Sequence, residues 1–276
     1  MELFPDYEMP AAPLADRLRP KNWERFIGQE HLIGEGLPLR KLLDSGAKLS
    51  FIFWGPPGTG KTTLARIAAR LTESEFYEIS AVNAGVADIR KVIESARKVW
   101  KSCQKGTVLF IDEIHRFNKA QQDAVLPHIE NGTFRLIGST TENPSFEVIP
   151  ALLSRCQTFH LKPLEREQIR DILNRTLLDT EQGLGDSGLQ ISPEAMDVIV
   201  SHANGDARRA LNLLEAVDNV VSQQDSKHVD LEIIQGIIQQ AVILYDKKGT
   251  EHHDHASAFQ KSLRGSDPDA AIYWLA

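Results

Sequence analysis

The sequence predicts an α/β protein, in which a parallel sheet core flanked by helices is followed by an all-α domain. Short apolar runs typical of strands alternate with helical stretches between residues 49 and 161. This alternation is typical of a parallel sheet with helices on both faces. A glycine-rich segment joins the first apolar run to the first long helical stretch, and no strand-like run appears after Leu164.

The elements follow from the spacing of apolar residues. Strands are predicted over 49–54, 76–80, 107–111, 134–139 and 158–161, and the helices between them over 61–71, 86–101 and 119–131. In the second half, apolar positions at helical spacing predict helices over 165–178, 193–202, 206–221 and 231–239. The glycines of 181–188 predict a flexible connection between two of them.

A chain of 276 residues is long enough for more than one domain. We expect an extended or disordered proline-rich arm over 1–14, a core over 15–163 and a helical lid domain over 164–240. Residues 241–276 are expected to begin a further domain. Its last apolar stretch, 270–276, ends without a capping signal, so the sequence is expected to be a fragment of a longer protein.

Charge and composition limit the classes of function. With 31 Lys and Arg against 38 Asp and Glu, the net charge is −7. A global positive field for nucleic acid is therefore excluded, and any contact with DNA has to be local. The sequence has neither a membrane-length apolar run nor a secretory signal pattern, which predicts a cytoplasmic protein without a membrane partner. Cys103 and Cys156 are expected to be buried free thiols.

The glycine-rich segment fits a phosphate-binding loop. Its sequence is Gly55-Pro56-Pro57-Gly58-Thr59-Gly60-Lys61-Thr62, placed between a predicted strand and a predicted helix. Glycines let backbone N–H groups close around phosphates, and the helix N-terminus favours negative charge. We expect Lys61 to reach the β- and γ-phosphates of a nucleotide, Thr62 to offer its hydroxyl to Mg²⁺, and Thr63 to lie near the phosphates.

Two adjacent carboxylates follow the third predicted strand. Asp112 and Glu113 come at its carboxyl end, where open parallel sheets place their ligands. Asp112 is expected to hold Mg²⁺, directly or through water, and Glu113 to polarise the water that attacks the γ-phosphate. The pair predicts hydrolysis of the nucleotide rather than its storage.

Together these motifs resemble the AAA+ ATPases. Gly-Pro-Pro-Gly-Thr-Gly-Lys-Thr followed by Ile-Asp-Glu-Ile-His-Arg-Phe is similar to the clamp-loader and Holliday-junction-motor branch. Within that branch, three stretches resemble the Werner-helicase-interacting protein family with its bacterial members: Ile111–Gln122, Gly138–Phe146 and Leu263–Ala271. The resemblance extends from about Leu14 to Ala276, and it implies ATP and Mg²⁺ as ligands.

The resemblance also implies roles for single residues. It places adenine and ribose contacts near Leu18, Arg19 and Ile27. Thr141 resembles the residue that senses the γ-phosphate or the attacking water, with an ordinary strand-end threonine as the alternative. In Ser154-Arg155-Cys156 the arginine resembles a finger that reaches the ATP of a neighbouring subunit, with a surface salt bridge as the alternative.

A second arginine motif lies in the helical half. Gly205-Asp206-Ala207-Arg208-Arg209-Ala210-Leu211-Asn212 resembles the start of a sensor helix, and alignment on the glycine favours Arg208 over Arg209 as the residue that touches the γ-phosphate of its own subunit. A lid arginine on the phosphate would make the lid position depend on the nucleotide state.

The function implied by the resemblance is ATP hydrolysis coupled to action on DNA at stalled replication forks, near gaps or single-strand ends. Single-strand DNA-binding protein, a homo-oligomer (a tetramer for the full-length protein, through residues 241–276) and a nucleoid-associated cytoplasmic location are expected with it. The alternatives are a clamp-loader subunit, a branch-migration motor, or a scaffold that recruits partners in a nucleotide-dependent way.

Two further sequence features favour plain interpretations. His252-His253-Asp254-His255 invites a zinc site, but consecutive residues cannot converge on one ion and no nearby cluster completes a tetrahedral set. Six basic residues are dispersed near one predicted helix, where a solvated face is favoured over contact with the DNA backbone; they are Arg90, Lys91, Arg97, Lys98, Lys101 and Lys105. His115-Arg116-Phe117 is similar to the family without an assigned role.

Overall fold

A computed structural model of the chain describes residues 12–46, 49–222 and 227–246, the last of these as backbone only from residue 240. The chain divides into two compact units. The first comprises Met1–Asp186 with Val200–Leu214, and the second comprises Ser187–Ile199 with Glu215–Ala276. Most of the predicted arm, the His252–His255 run and the stretch Leu263–Ala271 lie outside the described residues.

The first unit contains a five-stranded parallel sheet, which confirms the predicted fold class. The strands are β1 (Ser50–Trp54), β2 (Glu75–Ser80), β3 (Thr107–Asp112), β4 (Arg135–Thr140) and β5 (Cys156–His160). Their order across the sheet is β2-β3-β4-β1-β5. All pairs are parallel, so the carboxyl ends of all five strands meet at one edge. A ligand site is expected at this edge.

Helices connect the strands, as the alternation predicted. Those that precede β1 or separate the five strands are α1 (Leu14–Arg17), α2 (Glu30–Ile33), α3 (Pro38–Asp44), α4 (Lys61–Leu71), α5 (Val86–Cys103), α6 (Lys119–Glu130), α7 (Pro144–Glu147) and α8 (Pro150–Leu153), with a 3₁₀ turn over Ile114–Arg116. After the sheet come α9 (Arg166–Leu178), α10 (Pro193–Ala203), α11 (Ala207–Val221) and α12 (Leu231–Asp246). Among the described residues, none of these helices has the length and apolar character needed to cross a bilayer.

Burial on both faces explains why the central strands form. Phe51 and Phe53 of β1 pack on one face of the sheet against Leu64 of α4, whereas Ile52 between them packs on the other face with Leu109. Burying a side chain of this size contributes roughly 1.5–3 kcal/mol. Both faces of the sheet are therefore covered, and its carboxyl edge is a rigid platform.

Strand β5 begins two residues before its predicted start. Within the described part of the chain it is an edge strand that pairs with β1 alone, from Ser50 with Cys156 to Trp54 with His160. Gln157 and Thr158 are exposed, so the first half of this strand lacks the apolar run on which the prediction relied.

The region after Leu164 is helical as predicted, but it also contains a short parallel pair, so the expectation of no strand there was wrong in this detail. In the second unit, β6 (Gln190–Ile191) pairs with β7 (His228–Val229). Strands of two residues are too short to show an alternating pattern in a sequence. The α12 helix extends beyond its predicted end to Asp246.

The glycine segment after α9 forms an ordered turn instead of the flexible connection predicted from its composition. The Asp179 carboxylate accepts hydrogen bonds from the backbone N–H groups of Glu181 and Gln182, at 3.0 and 2.9 Å. The bond from Gln182 is the main reason why the pKa of Asp179 lies below its ordinary value. A side chain at Gly183 would collide with the backbone oxygens of Thr176 and Asp179.

Candidate nucleotide-binding site

The phosphate-binding loop lies at the carboxyl edge of the sheet, between the end of β1 at Trp54 and the start of α4 at Lys61. Lys61 is only 8% exposed. Its Nζ donates hydrogen bonds to the carbonyl oxygens of Gly55 and Pro56, at 2.7 and 2.8 Å. The lysine is thus held inside the curve of its own loop, with its charge directed where the loop would enclose a phosphate.

The charge balance of this lysine favours an anionic ligand. Burial lowers the pKa of Lys61 from its ordinary value, and the carboxylates of Glu113 and Asp112 offset only part of that effect. The guanidinium of Arg208 lowers the pKa further. A triphosphate beside Lys61 would reverse this shift, because its negative charge favours the protonated amine.

A cavity of about 620 Å³ within the first unit adjoins the loop. Most of the residues expected to bind the nucleotide line it: Leu18, Arg19, Ile27, Pro57, Gly58, Thr59, Gly60, Lys61, Thr62, Thr63, Asp112, Glu113 and Arg208. Gly55 and Pro56 do not line it, and their carbonyl oxygens instead accept hydrogen bonds from Lys61. The structure therefore brings residues from five separate stretches of the chain to one cavity.

Part of the cavity lining was not assigned a role from the sequence. Phe26 and residues of α9 or next to it contribute, among them Leu164, Ile172 and Leu178. Arg19 connects this region to α4, because its Nη1 lies 3.5 Å from Thr63 Oγ1. The helical spacing of the apolar residues in 165–178 was the available signal, but it does not reveal which face meets a ligand.

Gln29 fastens the segment before the sheet to the loop. It is 3% exposed and has a left-handed backbone, with φ of 63°. Its amide Nε2 donates to the carbonyl oxygens of Thr59 and Lys162, at 3.3 and 2.8 Å, and its Oε1 accepts from the Lys162 N–H at 3.0 Å. A buried amide satisfied in this way fixes the loop position. Nothing in the local sequence pattern indicated this role.

The acidic pair stands at the end of β3. The Asp112 carboxylate accepts a hydrogen bond from the Ser139 hydroxyl. The Ser139 Oγ in turn accepts from the Glu113 N–H at 3.3 Å. Asp112 and Thr62 line the same cavity. A carboxylate and a hydroxyl are ligands that suit Mg²⁺, which prefers oxygen donors and keeps several waters. The residues present thus fit the expected cation.

Two of the three consecutive hydroxyl residues at the end of β4 contact the acidic pair. Thr141, the expected sensor, is exposed, and its Oγ1 lies 3.5 Å from Oε2 of Glu113. Ser139 binds Asp112, and Thr140 is fully buried with its Oγ1 3.0 Å from Nδ1 of His115. Ser139 and Thr140 are therefore further hydroxyl groups near the site, beside the Thr141 chosen from the sequence.

Arg155 lies away from the loop, next to the amino end of β5. It forms an ion pair with Glu130 and donates to the carbonyl of Ala151 at 2.7 Å. It lines a second cavity, of about 750 Å³, together with Arg135. Within one chain the structure does not bring Arg155 to the nucleotide site.

Cys156, next to Arg155, is partly buried, and burial raises the pKa of its thiol to about 12. Cys103 at the end of α5 is exposed, so the expectation that both thiols are buried was wrong for Cys103. The reason is its position in the last turn of a helix, whose apolar face is formed by other residues.

The start of α11 touches the phosphate-binding loop directly. The Ala207 N–H donates to the Gly58 carbonyl at 3.2 Å. Arg208 lines the nucleotide cavity, whereas Arg209 donates its backbone N–H to Asp206 Oδ1 at 3.0 Å and places Nη2 3.3 Å from His202 Nε2. The two candidate arginines therefore point to different surroundings, and Arg208 is the one at the cavity.

We expect Gly58→Ala to weaken both the fold of the first unit and nucleotide binding. Gly58 has φ of +67°, and an added Cβ would lie 1.7 Å from Asp206 Oδ1 and 2.8 Å from its Cα. The strain of a left-handed backbone at alanine and the overlap of its Cβ with Asp206 are together expected to lower the free energy of unfolding by about 2–4 kcal/mol. Thermal unfolding and ATP titration measure the two effects.

Gly132→Ala is the matched control for this substitution. Gly132 has φ of +70°, with nothing within 4 Å of an added Cβ, so it carries the strain without the overlap. It is expected to lose about 1–2 kcal/mol and to bind ATP normally. Equal losses in the two variants would show that the contact between Gly58 and Asp206 contributes nothing.

Comparison with known proteins supports the resemblance to the AAA+ ATPases. The ATPase family associated with various cellular activities (AAA) matches residues 51–164, and the AAA C-terminal domain matches residues 185–264. Replication-associated recombination protein A of Haemophilus influenzae is 47% identical over 265 residues, which cover 96% of this chain and 59% of that protein. ATPase WRNIP1 of Dictyostelium discoideum is 41% identical over 96% of this chain and 32% of its own length.

Among solved structures, the Holliday junction branch migration motor RuvB of Thermotoga maritima is similar, with a TM-score of 0.65 and 29% identity over 81% of this chain and 72% of that one. These matches confirm the resemblance that the motifs indicated. The chain spans 59% of the length of the Haemophilus influenzae relative.

Proposed function

Because the chain belongs to the AAA family of ATPases, we propose that it binds ATP with Mg²⁺, hydrolyses the γ-phosphate, and uses the cycle to act on DNA during replication-associated recombination. One observation carries the proposal. The phosphate-binding loop with Lys61 and the acidic pair Asp112 and Glu113 line a single cavity at the carboxyl edge of the sheet. This combination supports binding and hydrolysis at the same site.

In this proposal each residue has a separate role. The loop N–H groups and Lys61 hold the phosphates, and Glu113 takes up a proton from the attacking water. Thr62 and Asp112 would hold Mg²⁺, which neutralises charge on the β- and γ-phosphate oxygens when bound. Thr141 is proposed to sense the γ-phosphate or the water, in view of its 3.5 Å distance to Glu113.

We further propose that the adenine and ribose lie against Leu18, Arg19 and Ile27, which line the same cavity as the loop. Arg208 is proposed to contact the γ-phosphate of its own subunit. Its helix also contacts the loop, through the bond from Ala207 to Gly58. Loss of the γ-phosphate would remove the contact to Arg208 and bias the position of α11.

Assembly is proposed to complete the site. Arg155 lies away from the cavity of its own chain and is 39% exposed as a side chain, so it is available to a neighbouring copy. An arginine supplied in trans can stabilise charge in phosphoryl transfer. A homo-oligomer, a tetramer for the full-length protein, follows as part of the proposal, with residues 241–276 assisting assembly.

The DNA part of the proposal rests on the relatives. The names of the Haemophilus influenzae and Thermotoga maritima proteins point to recombination and to a branch-migration motor, respectively. We propose stalled forks, gaps or single-strand ends as substrates, with single-strand DNA-binding protein as a partner in a nucleoid-associated cytoplasmic location. The similarity to RuvB keeps a branch-migration motor as the second candidate.

ATP turnover in the presence of different DNA structures tests the proposal. The purified protein is mixed with ATP and Mg²⁺, alone and with single-stranded, duplex, forked, gapped, four-way-junction or protein-coated single-stranded DNA. We expect Mg²⁺-dependent turnover, stimulated several-fold by fork or gap DNA. Preference for a four-way junction would favour the branch-migration motor, and turnover that no DNA stimulates would contradict the DNA part of the proposal.

A further inference from the structure

His115 lies beside the carboxylate that is proposed to activate water. Its Nδ1 is 3.2 Å from Oε2 of Glu113 and 3.0 Å from Oγ1 of Thr140. The imidazole is only 10% exposed as a side chain, and Thr140 is fully buried. The two neighbours of Nδ1 come from different strand ends, because Glu113 follows β3 and Thr140 ends β4.

The hydrogen bonds of Thr140 indicate whether Nδ1 of His115 carries a hydrogen. The Thr140 hydroxyl has one hydrogen and also lies 3.3 Å from the Glu142 carbonyl, while the Glu142 N–H donates to it at 3.0 Å. If the hydroxyl gave its hydrogen to Nδ1, then Nδ1 and Oε2 of Glu113 would be two acceptors 3.2 Å apart with no hydrogen between them. That arrangement is repulsive, so the carboxylate selects the form of His115 with a hydrogen on Nδ1.

The consequence concerns the orientation of Glu113. In the selected form the Thr140 hydroxyl donates to the Glu142 carbonyl, and the single Nδ1–H of His115 is shared between Oε2 of Glu113 and Oγ1 of Thr140. The Thr141 hydroxyl approaches the same Oε2, at 3.5 Å. Among the described residues, neither of these contacts involves Oε1, which is therefore the oxygen directed to water.

Glu113 combines an uncommon backbone conformation with a partly exposed side chain. Glu113 has φ of 55° and ψ of 48°, a left-handed conformation that is uncommon for a residue with a side chain. Its side chain is 30% exposed. An anchored carboxylate holds one geometry, whereas a free glutamate side chain would sample several rotamers.

We propose that His115 is a positioning residue for ATP hydrolysis, which holds Oε2 of Glu113 so that Oε1 meets the attacking water, and that Thr140 fixes the orientation of the imidazole. The inference rests on the proposed function, since it assigns a supporting role to the same site. It also gives a role to the His115-Arg116-Phe117 segment, which the motifs left without one.

Three substitutions of His115 in the full chain test the proposal. Asn places an amide N–H near the position of Nδ1, Gln places it nearer to that of Nε2, and Leu removes the donor while keeping an apolar bulk. We expect His115→Asn to retain kcat within a few-fold. His115→Leu and His115→Gln are expected to lower kcat by about 10- to 100-fold, the loss typical of a misplaced catalytic group.

The affinity for ATP separates positioning from damage to the fold. All three variants are expected to keep the wild-type Kd for ATP, because His115 does not contact the phosphate-binding loop. Should His115→Leu unfold, the comparison of Asn with Gln remains decisive. Wild-type kcat in the Gln or Leu variant, or equal losses in Asn and Gln, would overturn the role of His115. A wild-type protein that does not hydrolyse ATP would instead contradict the proposed function.

Discussion

Replacing Glu113 by glutamine is expected to leave ATP bound and largely unhydrolysed. The amide keeps the size of the side chain and can still accept a hydrogen bond from His115, so the cavity retains its shape. It cannot take up a proton from water, and general-base catalysis contributes about 10²- to 10⁴-fold. We therefore expect kcat to fall by about that factor, with the Kd for ATP unchanged, measured by phosphate release and by nucleotide titration.

Glu142→Gln is the matched control for this prediction. Glu142 lies on the loop after β4 and is exposed, and its contacts with Thr140 use backbone atoms. The same loss of a carboxylate a few residues from the site is expected to leave kcat unchanged. Wild-type turnover in Glu113→Gln would remove Glu113 from its proposed role, and equal losses in both variants would point to a general effect of charge.

The Glu113→Gln variant also distinguishes a motor from a recruitment scaffold. A motor that binds ATP and DNA without hydrolysis is expected to lose strand remodelling while it retains both ligands. A scaffold that uses hydrolysis only to time its release is expected to recruit its partner as well as the wild type. Remodelling of forked DNA and capture of single-strand DNA-binding protein by Glu113→Gln therefore give opposite results for the two functions.

The sheet and the phosphate-binding residues could be predicted because their signals are local. Phe51, Ile52 and Phe53 form a continuous apolar run because β1 is buried on both faces. The loop after β1 needs its glycines and lysine in consecutive order, so the motif is visible in eight residues. The acidic pair is visible in the same way, because Asp112 and Glu113 are consecutive and follow an apolar run. The ends of β1 to β4 were predicted to within one residue, and those of the half-exposed edge strand β5 to within two.

The supporting contacts could not be predicted, because they join residues far apart in the sequence. Gln29 binds Lys162 across 133 positions, and Ser139 binds Asp112 across 27. The second of these follows from strand register, since Ile111 pairs with Gly138 and the next residues of β3 and β4 are therefore neighbours. Side-chain amides such as Gln29 give no periodic signal, so their role appears only when the chain is folded.

Replacing Lys61 by alanine is expected to abolish measurable ATP binding. Nζ is held by the carbonyls of Gly55 and Pro56, at 2.7 and 2.8 Å, so its charge is already in place for a phosphate. Removing one partner of a buried, hydrogen-bonded charge pair costs about 2–5 kcal/mol, which raises Kd by roughly 30-fold to several thousand-fold. ATP titration with a fluorescent analogue measures the loss.

Lys119→Ala is the matched control, because Lys119 is also the first residue of a helix but is exposed and away from the cavity.

Thermal unfolding measures ATP binding to these variants independently. ATP at about 100 times its Kd stabilises the protein that binds it by about 2.7 kcal/mol. Wild type and Lys119→Ala should therefore melt at higher temperature with ATP, and Lys61→Ala should not. An equal shift in Lys61→Ala would mean that the cavity beside the loop does not hold the triphosphate, and the proposed hydrolysis would lose its site.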